Sequence, residues 1–374
     1  MRIRSLQAIA AAGVVAIGVT ACGSSSNDSS SSSSSSSSES STPAATSAPV
    51  TLNGGGSTFA APIYQQLGSE TKSSDGITVN FQGIGSGAGI AQFQAGTLDF
   101  AGSDPALKPE DVSGVTKGTP FQIPFALGAI TVSYNLPGIK SGLKLDGATI
   151  ADIFLGKVKK WDDPAIKSLN PDASLPSTAI TVVHRSDSSG TTQGFTTFLA
   201  AYSDAWKNGP GVDKDIKWPT GTGAKGNDGV AAAVKQTSGA IGYVEQAYAL
   251  QNGFTFAAVK NSGGTFVSPT LPSTSAAGDG IEVPADLGVS TINSPNPTAY
   301  PIVSQTFAIT YVDPCKAGLS ESVAKGLKTY FSYLLSTQGQ SSIQKLSYAD
   351  IPAALKAKAQ AKVDAMTCNG SPIS

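Results

Sequence analysis

Four times the chain passes from a strand-like run, through glycine and small polar residues, into a helical pattern. The junctions are GGGSTFAAP (54–62), GIGSGAG (83–89), AGSDPAL (101–107) and RSDSSGTT (185–192). A strand that ends in such a loop and feeds a helix commits the chain to layered α/β architecture. Each loop places small residues at a helix start, where unpaired backbone N–H groups and the positive end of the helix dipole face outward. Taken singly, each is ordinary turn and N-cap chemistry. Taken together, with an arginine at the last junction, they suit an anion site assembled from several loops.

The same alternation continues along the chain. ITVNFQG (77–83), LDFAGSD (98–104), GAITVSYNLPG (128–138), AITVVHR (179–185) and TFAITYVD (306–313) read as strands. GAGIAQFQAG (87–96), TIADIFLG (149–156), TTQGFTTFLAAYS (191–203), NDGVAAAVKQTSG (227–239), SESVAKGLKTYFSYLL (320–335) and PAALKAKAQAKVDAM (352–366) read as helices. Open, parallel or mixed sheets with helices on both faces follow. The globular part exceeds the size at which one core usually divides, so two lobes are expected.

Charge bears on what the site can be. Charged residues make up 14% of the chain and the net charge is −1, which argues against a nucleic-acid binder. A bound anion must be held by local groups, not by the overall field. Arg185 offers a planar fork matched to two oxygens of an oxyanion, and Asp187 can orient it. Asp104 is informative because a carboxylate repels an anion unless one of the two carries a proton. Phosphate near neutral pH keeps a proton and sulfate has none, so an acceptor at Asp104 would select between them.

Other chemistries fit poorly. Gly83-x-Gly85-x-x-Ala88 is only a relaxed dinucleotide fingerprint, and no G-x-x-x-x-G-K-[ST] motif occurs. Ser86 lacks the G-x-S-x-G context of a nucleophile elbow. His184 is the sole histidine. If Arg185 faces the cleft, strand alternation turns His184 away, which deprives a serine triad of its base. One histidine and few cysteines make a poor metal set. In WDDP (161–164), the carboxylates read as a helix or turn start before Pro164.

The N-terminus is a targeting segment, with Arg2 and Arg4 ahead of the apolar run AIAAAGVVAIGV (8–19), too short for a stop-transfer helix. Val19-Thr20-Ala21-Cys22-Gly23 resembles the lipobox of bacterial lipoproteins, which implies a signal peptide over 1–21 and a lipid on Cys22. Losing residues 1–21 leaves 23 basic against 26 acidic residues. Residues 22–50, mostly serine, cannot bury apolar surface and read as a flexible tether. With Cys22 lipidated, Cys315 and Cys368 remain as an even pair in an oxidising compartment, and a disulfide is expected.

Across residues 51–366 the chain resembles the substrate-binding proteins of bacterial high-affinity phosphate ABC importers. GGGSTFAAPIY, NFQGIGSGAGI, DFAGSDPAL, DIFLGKVKKWDDPAI, VVHRSDSSGTT, KGNDGVAAAV and GAIGYVEQAYA carry the likeness. The resemblance implies a two-lobed periplasmic-binding-protein fold of type II-like form, each lobe a mixed sheet flanked by helices, with ligand at the lobe interface. Lobe I would be 51–127 with 303–374, and lobe II 128–302. The resemblance implies phosphate contacts from Thr58, Phe59, Ser86, Asp104, Arg185, Ser189, Gly190 and Thr191, with Asp187 holding the arginine. Ser188 stands where many relatives carry glycine, tolerable unless that position needs positive φ. It further implies no catalysis, cofactor or metal. A monomer anchored outside the cytoplasm by its lipid would deliver phosphate to permease subunits driven by a cytoplasmic ATPase.

Overall fold

The computed structural model describes residues 49–374; the signal segment, Cys22 and nearly all of the tether lie outside the described residues. The last tether position, Val50, already begins the first strand. Nine strands form one sheet, and six C-terminal strand ends decide where chemistry can occur. The first wing contains β1 (Val50–Gly56), β2 (Ile77–Gly83) and β3 (Phe100–Ser103), with β1 parallel to both neighbours. Helices α1 (Ala61–Asp75) and α2 (Ser86–Gln94) follow the first two strands. The second wing contains β5 (Thr181–Arg185), β6 (Thr222–Ala224) and β7 (Ala240–Glu245), again parallel. It is interleaved with α3 (Gly190–Tyr202), α4 (Gly226–Gln236) and the short α5 (Gln246–Gln251).

Two long strands join the wings: β4 (Pro120–Asn135) and β8 (Val303–Tyr311). β4 pairs antiparallel with β8 over residues 120–129, then antiparallel with β7 over residues 130–135. β8 in turn pairs antiparallel with β3. The two parallel wings therefore run in opposite directions. Ser103 lies against Phe307, itself opposite Pro124, while Glu245 lies opposite Ile130. The carboxyl ends of both wings thus point at each other across the middle of β4. Ligands bind at such convergent strand ends in open α/β sheets.

One buried apolar cluster runs through both wings. In the first, Tyr64 stacks on Phe81 at 4.1 Å between ring centroids, and Phe100 meets Tyr330 and Phe331 of α6 (Glu321–Leu335). That helix starts where Ser320 accepts a hydrogen bond from the Val323 N–H, and it buries Leu327, Phe331 and Leu334. Burying each such side chain contributes about 1.5–3 kcal/mol. In the second wing Phe195 stacks on Tyr243 at 4.3 Å, with Phe154 and Trp218 closing the cluster.

β4 extends further toward its N-terminal end than the pattern 128–138 predicts. Residues 120–127 include two prolines, which argue against an interior strand. The structure accommodates Pro124 where the β4–β8 register shifts between Thr306 and Phe307. Helix α1 lacks a strong apolar period, being rich in serine, threonine and glutamine with a proline in its first turn, and α7 (Thr337–Lys345) is mostly polar.

Cys315 and Cys368 are bonded across a sequence separation of 53 residues. The bond ties the turn after β8 to the last short strand pair, Thr367–Cys368 with Ser371–Pro372. Asp313 organises the same corner, accepting hydrogen bonds from the Lys316, Asn369 and Gly370 N–H groups and the Thr367 hydroxyl.

Candidate functional site

The four loops singled out in the sequence meet where the wings converge. The first loop links β1 to α1, the second β2 to α2, the third leaves β3, and the fourth links β5 to α3. They touch directly: the Gly87 N–H donates to the Ser188 carbonyl at 3.1 Å. Gly190 explains how closely they approach. A Cβ there would lie 2.5 Å from Asp104 Oδ2 and 2.7 Å from Ser86 Oγ, so only glycine lets the fourth loop seat against the second and third. Gly85 adopts φ 90°, and a Cβ on it would fall 2.7 Å from Asp187 Oδ2. Ser188 is absent from the non-glycine residues at positive φ, so serine fits its backbone without strain.

Asp104 is buried, and its two oxygens are used unequally. Oδ1 accepts from the Ser57 hydroxyl at 2.5 Å and from the Thr306 hydroxyl at 3.0 Å. Oδ2 has only a long 3.4 Å contact from Ser86 and faces Gly190. Burial raises its pKa to about 6, against the pull of the Ser57 and Thr306 bonds and the Arg185 charge. Above that pH it is an acceptor with one oxygen largely unspent.

Arg185 is buried at the end of β5 and forks onto Asp187: Nε donates to Oδ1 at 2.8 Å and Nη2 to Oδ2 at 2.6 Å. Burial works against the Asp187 carboxylate, yet the arginine and the Gly226 N–H hold its pKa below the usual range. Arg185 Nη1 also reaches Thr191 Oγ1 at 3.3 Å. Ser189 caps α3, its hydroxyl oxygen accepting from the Thr192 N–H at 3.1 Å. By position, the first N–H groups of α2 and α3, at Ser86, Gly190 and Thr191, have no acceptor within their helices.

His184 faces the other way, as alternation predicts. Its ring stacks on Trp218 at 4.7 Å, and its Nδ1 lies 2.9 Å from the Arg185 carbonyl. Burial lowers its pKa. As the sole histidine, it leaves no base for a serine nucleophile among these loops. Asp163 caps the helix Pro164–Leu169, and the Trp161 indole donates to the Gly239 carbonyl, both structural roles. Among the described residues, no three His, Cys, Asp or Glu side chains gather as a metal site.

The sequence reading missed a supporting set. Ser57 and Thr306 orient Asp104. Asn227 of α4 reaches Thr58 and Thr191. The Tyr248 hydroxyl donates to the Thr58 carbonyl at 2.7 Å, and the Tyr348 hydroxyl lies 2.5 Å from the Phe59 carbonyl and 2.7 Å from Glu245 Oε2. Burial pushes the Glu245 carboxyl well above the usual carboxylate range. Asn227 and Glu245 lie inside two stretches that carry the family likeness, KGNDGVAAAV and GAIGYVEQAYA; that placement was the available signal.

A cavity of about 210 Å³ opens beside Asp104 and Gly190. A larger one, about 430 Å³, lies along residues 277–295 and shares Gly288, Val289 and Ser290 with the first. The arrangement joins a guanidinium, hydroxyls and helix-start N–H groups to one buried acceptor. Such a set can surround a tetrahedral oxyanion that keeps a proton.

Comparison with known proteins shows the family and the fold. A model of the PBP superfamily domain matches residues 41–338. The chain is 40% identical to the phosphate-binding protein PstS of Pasteurella multocida, over 85% of this chain and 91% of that protein. It is also 40% identical to the protein of that name from Haemophilus influenzae, over 81% of this chain and 89% of the relative. Among solved structures, a high-affinity periplasmic phosphate-binding protein with bound phosphate aligns at a TM-score of 0.69 and 24% identity, over 83% of this chain and 93% of that one. A phosphate-binding protein from Stenotrophomonas maltophilia aligns at 0.61 and 19%, over the same shares.

Proposed function

The chain belongs to the PBP superfamily, among relatives that are phosphate-binding proteins, and on that premise we propose that it captures inorganic phosphate outside the cytoplasm for an ABC importer, without catalysis. The observation that carries the reading is Asp104: a buried carboxylate with one oxygen spent on Ser57 and Thr306 and the other, facing Gly190, holding only a long contact from Ser86. A fully deprotonated anion would meet uncompensated repulsion there. Hydrogenphosphate presents a P–OH to Oδ2 and acceptor oxygens to everything else.

In this reading Arg185, held by Asp187, pairs with phosphate oxygens. Thr58, Ser86, Ser189 and Thr191 supply hydroxyls. Backbone N–H groups of Phe59, Ser86, Gly190 and Thr191 supply the remaining donors, which need no reorganisation on binding. The ligand exchanges its water for these fixed groups, and the Asp104 carboxylate converts the phosphate proton into selectivity.

Residues 51–127 with 303–374 act as one lobe and 128–302 as the other. The partner change of β4 at Ala129–Ile130 and the start of β8 at Val303 support this division. Opening about these two strands would expose the site. A lipid on Cys22 would keep the monomer at the membrane, within reach of permease subunits and their ATPase; a Cys22→Ser chain that still partitions with detergent would overturn the anchor. The binding reading is tested by dialysing the purified chain against radiolabelled phosphate. One phosphate retained per chain and released unaltered on denaturation supports it. No retention, or release of a converted product, overturns it.

A further inference from the structure

We propose that Asn227 sets the hydrogen-bond polarity of the anion site, forcing the hydroxyls of Thr58 and Thr191 to act as donors. The inference rests on the phosphate-binding reading and adds to it a positioning residue that lies outside the four loops.

Asn227 is fully buried near the start of α4. The orientation of its amide is fixed: the Glu245 backbone N–H donates to Oδ1 at 3.0 Å, so the other atom must be the nitrogen. That Nδ2 donates to Thr58 Oγ1 at 2.9 Å and to Thr191 Oγ1 at 3.2 Å. The Asn227 backbone N–H adds a second bond to Thr58 Oγ1 at 3.2 Å. Thr191 Oγ1 takes its second bond from Arg185 Nη1 at 3.3 Å.

A hydroxyl has two acceptor lone pairs and one proton. On both threonines the acceptor side is filled by donors that cannot reverse: two amide nitrogens on Thr58, an amide and a guanidinium on Thr191. Their only remaining capacity is the proton. Neither hydroxyl donates to a protein group among the described residues. Four of the site's hydroxyls thus fall into two populations. Ser57 and Thr306 spend their protons on Asp104; Thr58 and Thr191 hold theirs for an acceptor. An oxyanion offers acceptors on every oxygen that carries no proton. Asn227 lies 169 positions from Thr58, on the opposite wing, so the polarity is set when the loops converge.

The test is a double-mutant cycle read by titration with inorganic phosphate: wild type, Asn227→Ala, Thr58→Val and the double variant, with melting temperatures measured alongside. Asn227→Ala should weaken phosphate binding by roughly tenfold to a hundredfold, the scale of one to two hydrogen bonds to a charged ligand. In the Thr58→Val background the same change should cost markedly less, because the hydroxyl it orients is gone. Asn227→Asp, of the same size but unable to donate, should turn both hydroxyls toward itself and weaken binding by more than about a hundredfold. It replaces the alanine variant in the cycle if that variant does not fold. Wild-type affinity in Asn227→Ala, or losses that multiply fully with Thr58→Val, overturns the proposal. So does a lowered melting temperature with unchanged affinity, the signature of a purely structural tie. A wild-type chain that binds no phosphate refutes the functional reading instead.

Discussion

Replacing Asp104 by asparagine changes one atom that matters. The Ser57 and Thr306 hydroxyls both donate to Oδ1, so the new amide would place its oxygen there and its nitrogen where Oδ2 was. The group facing Gly190 and the ligand then changes from charged acceptor to neutral donor. Phosphate loses a charge-assisted acceptor for its P–OH, about 1.5–3 kcal/mol, or roughly tenfold to a hundredfold in affinity. Hydrogenphosphate and sulfate carry the same charge at pH 8, so the relief of repulsion is common to both and the difference is the P–OH hydrogen bond. The phosphate-to-sulfate preference should therefore fall by roughly tenfold to a hundredfold. Calorimetric titration of both anions at pH 8 and fixed ionic strength measures it. The pH profile supplies an internal control. Because burial raises Asp104 to about 6, sulfate binding by the wild type should rise as pH falls through about 6, while the asparagine variant stays flat. An unchanged preference in Asp104→Asn, or weakened phosphate binding with sulfate still rejected at every pH, would refute the reasoning.

Arg185→Ala removes a buried fork and strands Asp187; phosphate affinity should fall by about 2–5 kcal/mol by titration, and near-wild-type binding would displace Arg185 from the site. Gly190→Ala puts a methyl 2.5 Å from Asp104 Oδ2 and should weaken phosphate binding at least about tenfold, with a ligand-free stability loss of about 1–3 kcal/mol from overpacking; unchanged affinity would show that the loops do not need this approach. The Cys315–Cys368 bond closes a 53-residue separation, so Cys315→Ser/Cys368→Ser should lose up to about 4 kcal/mol in denaturant unfolding with phosphate affinity retained. Without ligand, the raised pKa of Asp104 favours its protonated form in the fold. Its stabilising contribution is complete below the unfolded value near 4 and is lost as pH rises through about 6, and Asp104→Asn should remove that part of the thermal pH profile.

The loops were legible because glycine, hydroxyl and strand-end chemistry is local. A reader of RSDSSGTT can place Arg185 inward by strand alternation and His184 outward, and the Trp218 stack has that geometry. The pairing of Arg185 with Asp187 spans two residues and is equally local. What resisted reading is long-range. Ser57 is 47 residues from Asp104 and Thr306 is 202 away, so nothing near either marks it as the carboxylate's partner. Asn227 reads as one more polar residue at a helix start until the fold sets it against Thr58. The first half of β4 was hidden for another reason: it is buried along nearly its whole length, so it lacks alternation, and its prolines oppose a strand until the register shift at Pro124 is known.

On the proposed reading, a buried, half-spent carboxylate makes this chain a receptor for a protonated oxyanion. Calorimetric titration of the wild-type chain at pH 8 with inorganic phosphate and then sulfate tests it most directly. One tight phosphate site per chain and no measurable heat from sulfate are expected. Sulfate binding as tight as phosphate, or no phosphate binding at all, would contradict it.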